Sequence, residues 1–170
     1  MAKGFVPDHR VASVGELDEA FLQRNGICGL IVDLDNTLAL PDDMEPTGEA
    51  RLFAARMKAA GIPVVVVSNN RQARVSGFCK KLSLDYVYKS GKPFGRGIRR
   101  AIAKTGLARE SVALVGDQLI TDVLAASFNH IRCILTEPIV LETGFFFRIK
   151  RDFESLIDHK RRNMKCSRKI

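Results

Sequence analysis

Residues 63–67 read Pro-Val-Val-Val-Val. Four β-branched side chains in a row lose rotamer freedom in a helix and pack well on a pleated surface, so this run is a strand. Other short apolar runs repeat the signal: residues 29–34 (GLIVDL), 85–88 (DYVY), 111–115 (SVALV) and 131–135 (IRCIL). The first is apolar throughout, as strands buried on both faces are. Helical segments lie between them. Residues 13–25 place Val14, Leu17, Phe21 and Leu22 at helical spacing, with Gly26 as a stop. Residues 47–60, 72–82, 94–105 and 119–127 read as further helices, and a terminal helix begins at Gly144. Strands alternating with helices predict an α/β, doubly wound fold with a mainly parallel five-stranded sheet. The expected division is a helical lead-in over 1–26, a core over 27–143, and a C-terminal helix with a basic tail over 144–170.

In such folds ligands meet the carboxyl ends of the strands. The polar residues respect that rule. Asp33 and Asp35 close the first strand, Ser68-Asn69-Asn70 follows the second, Lys92 comes after the third, and Gly116-Asp117 follows the fourth. With Asp122, four acids converge on one sheet edge, and Lys92 alone cannot balance them. A hard divalent ion can. Mg²⁺ takes oxygen ligands, keeps some of its waters and binds phosphate oxygens, so the pattern points to phosphate chemistry. A carboxylate can attack phosphorus to give an aspartyl-phosphate, provided a metal, a second acid and phosphate-binding donors assist. Ser68 and nearby backbone N–H groups can donate to phosphate, and Lys92 adds charge, with Pro93 stiffening the turn behind it.

Composition narrows the remaining classes. The chain has 170 residues, enough to bury a core without disulfides, and 46% of them are hydrophobic. Its four cysteines, Cys28, Cys79, Cys133 and Cys166, form no zinc spacing and read as reduced thiols, with Cys28 and Cys133 in the core. His130 reads as structural. No signal peptide and no membrane-spanning apolar stretch is legible, so a cytoplasmic location is expected. The net charge is +8, and from Arg148 onward nine Lys or Arg stand against Asp152, Glu154 and Asp158. That end suits anionic partners, phospholipid headgroups or nucleic acid, or is a solvated tail.

The four motifs, Asp33-Leu-Asp-Asn-Thr-Leu38, Ser68-Asn-Asn70, Lys92-Pro93 and Gly116-Asp-Gln-Leu-Ile-Thr-Asp122, resemble those of the haloacid dehalogenase (HAD) superfamily of phosphatases, subfamily IIIA. Arg74-Val75 after the second motif, Pro138 and Arg151-Asp-Phe-Glu154 extend the resemblance to the YqeG family. The resemblance implies a Rossmann-like HAD fold and a set of roles. Asp33 is the nucleophile and a metal ligand. Asp35 is the general acid/base, with its backbone carbonyl on the metal. Asp117 is a further ligand to Mg²⁺. Ser68, with Asn69 beside it, and Lys92 bind phosphate. Thr37 supports the loop, and Asp122 orients Lys92 or a metal-bound water. Ala125-Ala126-Ser127 departs from the family, where glycine often follows the Thr-Asp pair.

Neither 38–67 nor 69–91 is long enough for an inserted cap domain, so the site should be open. An open site suits phosphate on a lipid, a nucleic acid end or a protein. A small metabolite would need shielding by a second subunit or by the loop from Pro41 to Pro46. The family includes phosphatidylglycerophosphate phosphatases, and the aromatic and basic run 145–153 suits a membrane interface or packing against the sheet. The leading expectation is therefore a Mg²⁺-dependent phosphatase of an anionic phospholipid at the membrane surface. A polynucleotide-end phosphatase is an alternative that lacks legible base-stacking aromatics, and an RNA-binding ribosome-assembly protein is another.

Overall fold

The structure is a computed structural model that describes residues 6–140. The chain divides into two units after Ile139, and the sheet with its helices belongs to the first. The helix expected from Gly144, the basic tail and Cys166 lie outside the described residues.

Six strands form one parallel sheet: β1 (His9–Val11), β2 (Gly29–Asp33), β3 (Val64–Val67), β4 (Asp85–Val87), β5 (Val112–Gly116) and β6 (Arg132–Thr136). Their spatial order is β1-β6-β5-β2-β3-β4. Five helices connect them: α1 (Glu19–Arg24), α2 (Gly48–Ala59), α3 (Gln72–Leu82), α4 (Gly97–Thr105) and α5 (Thr121–Asn129). The doubly wound α/β architecture is as the alternation predicts. The strand count is not. The sixth strand, β1, pairs with β6 from His9↔Ile134 to Val11↔Thr136 at the sheet edge. Three residues, two of them polar, give no apolar run; β6 supplies the register, reinforced by the Cys133 N–H donating to the Asp8 carboxylate at 2.8 Å.

Strand periodicity sorts the core. Leu30, Val32, Val64, Val66, Ala113, Val115 and Ile134 face one layer, where Phe53 and Met57 of α2 and Val75 and Phe78 of α3 cover them. The alternate residues Ile31, Val65, Val67, Leu114, Cys133 and Leu135 face the other, against Ile98 and Ala101 of α4 and Val123 and Ala126 of α5. Burial on both faces is why these strands carry no polar alternation.

Three element boundaries move from the sequence expectation, each for a local reason. The helix expected over 13–25 is broken into a 3-10 turn, Val14–Glu16, and α1, because Asp18 leaves the helix to cap it: its Oδ1 accepts the Phe21 N–H at 2.6 Å. The helix expected from 94 starts at Gly97, since residues 91–96 form a tight loop closed by the Gly97 N–H on the Ser90 carbonyl. The helix expected from 119 starts at Thr121, while Thr47 caps α2 through the Ala50 N–H, close to its expected start. Cys28 is exposed rather than core: it stands just before β2, where its N–H reaches the Ser111 carbonyl. Cys133 and Cys79 are buried.

One helix alone, α2, lies between β2 and β3, and one, α3, between β3 and β4. No inserted cap is present there. Among the described residues no helix is long and apolar enough to cross a membrane.

Candidate active site

Each strand that bears a motif residue ends on the same edge of the sheet. Asp33 is the last residue of β2, Ser68 follows β3, Lys92 follows β4 through a loop, and Asp117 follows β5. Asp122 returns to that edge from the first turn of α5. The centre is an ionic cluster, almost wholly buried. The Lys92 Nζ lies 2.8 Å from Asp33 Oδ1 and 2.7 Å from Asp122 Oδ1. Asp122 is fully buried, and its Oδ2 accepts the Gln118 N–H at 3.1 Å. Asp33 Oδ1 also accepts the N–H of Leu34 at 2.8 Å.

Charge on these groups is expensive. Burial, with the negative charge of Asp122 and Asp35 added and that of Lys92 opposed, raises the Asp33 carboxyl from 3.8 to about 7. Burial, then Asp33 and Asp122, raises Asp117 from 3.8 to about 8. Burial works against the Lys92 ammonium, but Asp122 and Asp33 outweigh it and hold its pKa above the ordinary value. One lysine is shared by two acids, and Asp117 has no cation of its own. Both its oxygens are buried, and no other described residue bonds to them. Such orphaned acceptors are rare in a native interior, and an ion is one of the few things that satisfies them. Carboxylate oxygens of Asp33, Asp117 and Asp122 lie within 4.8 Å of one another. The donor set is all oxygen, which fits a hard divalent cation.

The expected residues are thus distributed in three ways. Asp33, Lys92, Asp117 and Asp122 meet in one cluster. Asp122 stands among the clustered carboxylates, yet both its oxygens are engaged by Lys92 and Gln118. Asp35 stands apart on the rim: its side chain pairs with Arg74 and accepts the Asn70 Nδ2–H at 2.6 Å. Asn36, at φ +60°, turns the chain after Asp35, and its N–H reaches the Ala39 carbonyl at 2.8 Å. Thr37 is buried in this loop, with its hydroxyl unpartnered. Ser68 is buried at the end of β3; its Oγ accepts the Asn70 N–H at 3.1 Å.

Asn69, expected to bind phosphate, has its side chain committed elsewhere. Its Oδ1 accepts from Ser90 Oγ at 2.7 Å and from the Lys92 N–H at 3.0 Å. It fixes the loop that aims Lys92. Sequence spacing gave no role to three further residues. Arg74, in the first turn of α3, and the Asn70 side chain hold Asp35; in the sequence both stand only as motif residues, Asn70 in Ser68-Asn-Asn70 and Arg74 in the pair that follows it. Gly116 is the third: a Cβ there would stand 2.4 Å from Asp122 Oδ2, so the close approach of α5 to β5 requires glycine.

With this geometry in place, the comparisons with known proteins are specific. A family described as haloacid dehalogenase-like hydrolase matches residues 14–127. The chain is 36% identical over 157 residues to "Probable phosphatase YqeG" of Bacillus subtilis (strain 168), covering 92% of this chain and 91% of that one. Two solved structures share the fold. An uncharacterized protein from Listeria monocytogenes serotype 4b matches with a TM-score of 0.53 at 14% identity, over 64% of this chain and 78% of the other. A cobalt-bound deoxy-D-mannose-octulosonate 8-phosphate phosphatase from Haemophilus influenzae matches with a TM-score of 0.50 at 16% identity, over 67% and 80%.

Proposed function

Since the chain belongs to the haloacid dehalogenase-like hydrolase family and is a phosphatase, we propose that it hydrolyses phosphate monoesters through a phosphoryl group carried on Asp33, with a divalent cation, Mg²⁺, in the cluster. The observation that carries this reading is the Asp117 carboxylate, buried beside Asp33 with no other described residue bonded to either oxygen. Nothing structural explains an acid kept there at such cost, whereas a cation would satisfy it.

Asp33 and Asp117 would hold the ion, with the Asp35 main-chain carbonyl as the ligand implied by family resemblance. The bound ion would supply positive charge to the phosphoryl oxygens. The chain's own groups do the rest. Asp33 attacks phosphorus, and the bond to the alcohol oxygen breaks. Lys92 and the Ser68 hydroxyl, which has no acceptor among the described residues, bind the equatorial oxygens. Asp35, as the general acid, gives a proton to the leaving alkoxide. The same carboxylate then takes a proton from water, which attacks phosphorus and releases inorganic phosphate, restoring Asp33. Asp122 and Asn69 act through Lys92, the first on its ammonium and the second on its loop. Arg74 and Asn70 hold the Asp35 carboxylate in place.

Access to the site supports a substrate class. With no cap between the strands, the site can approach a phosphate on a large carrier. We read that carrier as a phospholipid, phosphatidylglycerophosphate or a close relative, met from the cytoplasmic side of the membrane. Phosphate release from phosphatidylglycerophosphate in mixed vesicles, compared with p-nitrophenyl phosphate and repeated in excess EDTA, tests it. Release from both, abolished by EDTA, is the expected outcome. Cleavage of the soluble ester alone removes the lipid assignment, and turnover undiminished in EDTA removes the metal.

A further inference from the structure

Phe94 and Phe128 are the only exposed phenylalanines among the described residues, at 61% and 51%. They stack on each other with centroids 5.1 Å apart and planes at 25°. Two rings that could have packed inward are instead joined at the surface. Phe94 follows Lys92 by two residues, while Phe128 comes from the last turn of α5, at the end of that helix away from Asp122. A groove of about 420 Å³ continues from them between α4 and α5, lined also by Arg99, Ile102, Arg109 and His130.

Basic residues prevail in the segments that carry the pair and its groove, with Glu110 the exposed acid among them, while Asp42, Asp43, Glu45 and Glu137 lie on the loops after β2 and β6. Lys89, Arg96 and Arg99 are exposed, and none is in an ion pair among the described residues. Arg109 has Glu110 at 3.8 Å, both largely in solvent, a contact worth little. Further apolar side chains stand out of the other loops around the mouth of the site. Leu119 follows Asp117 by two residues, Leu40 and Met44 belong to the loop after β2, and Ile139 comes after β6. Scattered exposed aliphatics are ordinary, but these come from separate loops on the one edge where the chemistry lies.

We propose that this face is a membrane-docking surface. The Phe94–Phe128 pair seats in the interface of an anionic bilayer, Arg96 and Arg99 take headgroup phosphates, and the Lys92 loop that carries Phe94 brings the site toward the lipid. The inference deepens the lipid-phosphatase reading and rests on it for its purpose, though not for its binding test. Aromatic wedges flanked by arginine are suited to the headgroup boundary, where rings bury apolar area and guanidinium groups meet phosphate. A nucleic acid would use the same cations, but stacking a base needs an open ring face. The outer ring faces remain open to a base, but Leu40, Leu119 and Ile139 offer no plane at all, which favours the bilayer.

The chain contains no tryptophan, so Phe94→Trp and Phe128→Trp each install a single fluorescent reporter. The measurement uses the full chain carrying Asp33→Asn, in EDTA, so that catalysis plays no part. Vesicles of mixed phosphatidylglycerol and phosphatidylcholine should shift the emission to the blue, brominated lipid should quench it, and pure phosphatidylcholine should do neither. A chain that floats with the vesicles while its indole is neither shifted nor quenched overturns the proposal, because the C-terminal cations alone would then hold it. Quenching by a single-stranded oligonucleotide and not by lipid overturns it in favour of nucleic acid. Independently, Phe94→Ser with Phe128→Ser should weaken vesicle binding about tenfold or more, the loss of two seated rings, with the melting temperature confirming the fold. Unchanged binding refutes the docking face and leaves the chemistry of Asp33 untouched.

Discussion

Asp117→Asn separates what the buried acid costs the fold from the metal-binding role proposed for it. Its folded pKa of about 8 lies well above its ordinary 3.8. A carboxyl raised in this way contributes fully to stability only below its unfolded pKa, and the contribution is lost as pH rises through the folded value. The metal-free protein should therefore lose stability between about pH 4 and pH 8 on account of this residue. A shift of about four units corresponds to roughly 6 kcal/mol if expressed in full, and relaxation of the site and water entry reduce it to about 2 kcal/mol. Asparagine keeps the shape and removes the charge. In EDTA at pH 8 the variant should be more stable than the parent by about that amount, with little difference at pH 4, and its stability should fall less steeply with pH. With Mg²⁺ the order reverses: the parent gains stability by mass action, while the variant gains little and does not turn over. Urea unfolding at pH 4, 6 and 8, with EDTA and with MgCl₂, measures all of this. An asparagine variant no more stable than the parent at pH 8 without metal, or one that Mg²⁺ stabilises equally, would refute the reasoning.

Three further perturbations concern the groups around Asp117. Lys92→Ala leaves Asp33 and Asp122 buried without their cation and should cost about 3 kcal/mol at pH 8; denaturant titration should find a smaller loss at pH 5, below the raised pKa of Asp33. Gly116→Ala puts a methyl 2.4 Å from Asp122 Oδ2, and should destabilise by about 2 kcal/mol and lower kcat, since Asp122 must move and it holds Lys92. Arg74→Met removes one of the two partners of the Asp35 side chain; steady-state kinetics should show kcat down about tenfold with KM little changed, whereas a larger effect on KM would make Arg74 a substrate-binding residue.

How much of the fold and site could be read from sequence depended on whether the signal was local. The run Val64–Val67 and the apolar β2 and β5 are legible because burial on both faces forces the composition. The strand-end acids, Ser68 and Lys92 followed, because a parallel sheet places all such ends on one edge. β1 was not legible: a three-residue edge strand takes its pairing from β6 and needs no pattern of its own. The start of α4 was missed for a similar reason. Phe94 looks like the first apolar position of a helix, but the 91–96 loop returns to Ser90, and the ring goes to Phe128 on the surface. At the site, sequence spacing said which residues shared the edge, not which atoms met. Asn69 serves the Lys92 loop, and Arg74 turns to Asp35, because tertiary geometry decides between neighbours a few ångströms apart.

The central claim is that Asp33 carries the phosphoryl group. Borohydride reduces an aspartyl-phosphate to homoserine and leaves free aspartate alone, so quenching the enzyme with borohydride during turnover of p-nitrophenyl phosphate with Mg²⁺, followed by peptide mass mapping, reads the claim directly. Homoserine at position 33, absent without substrate and absent from Asp33→Asn, is the predicted result. Unmodified Asp33 in an enzyme that is turning over, or homoserine at Asp35 or Asp117 instead, would contradict it.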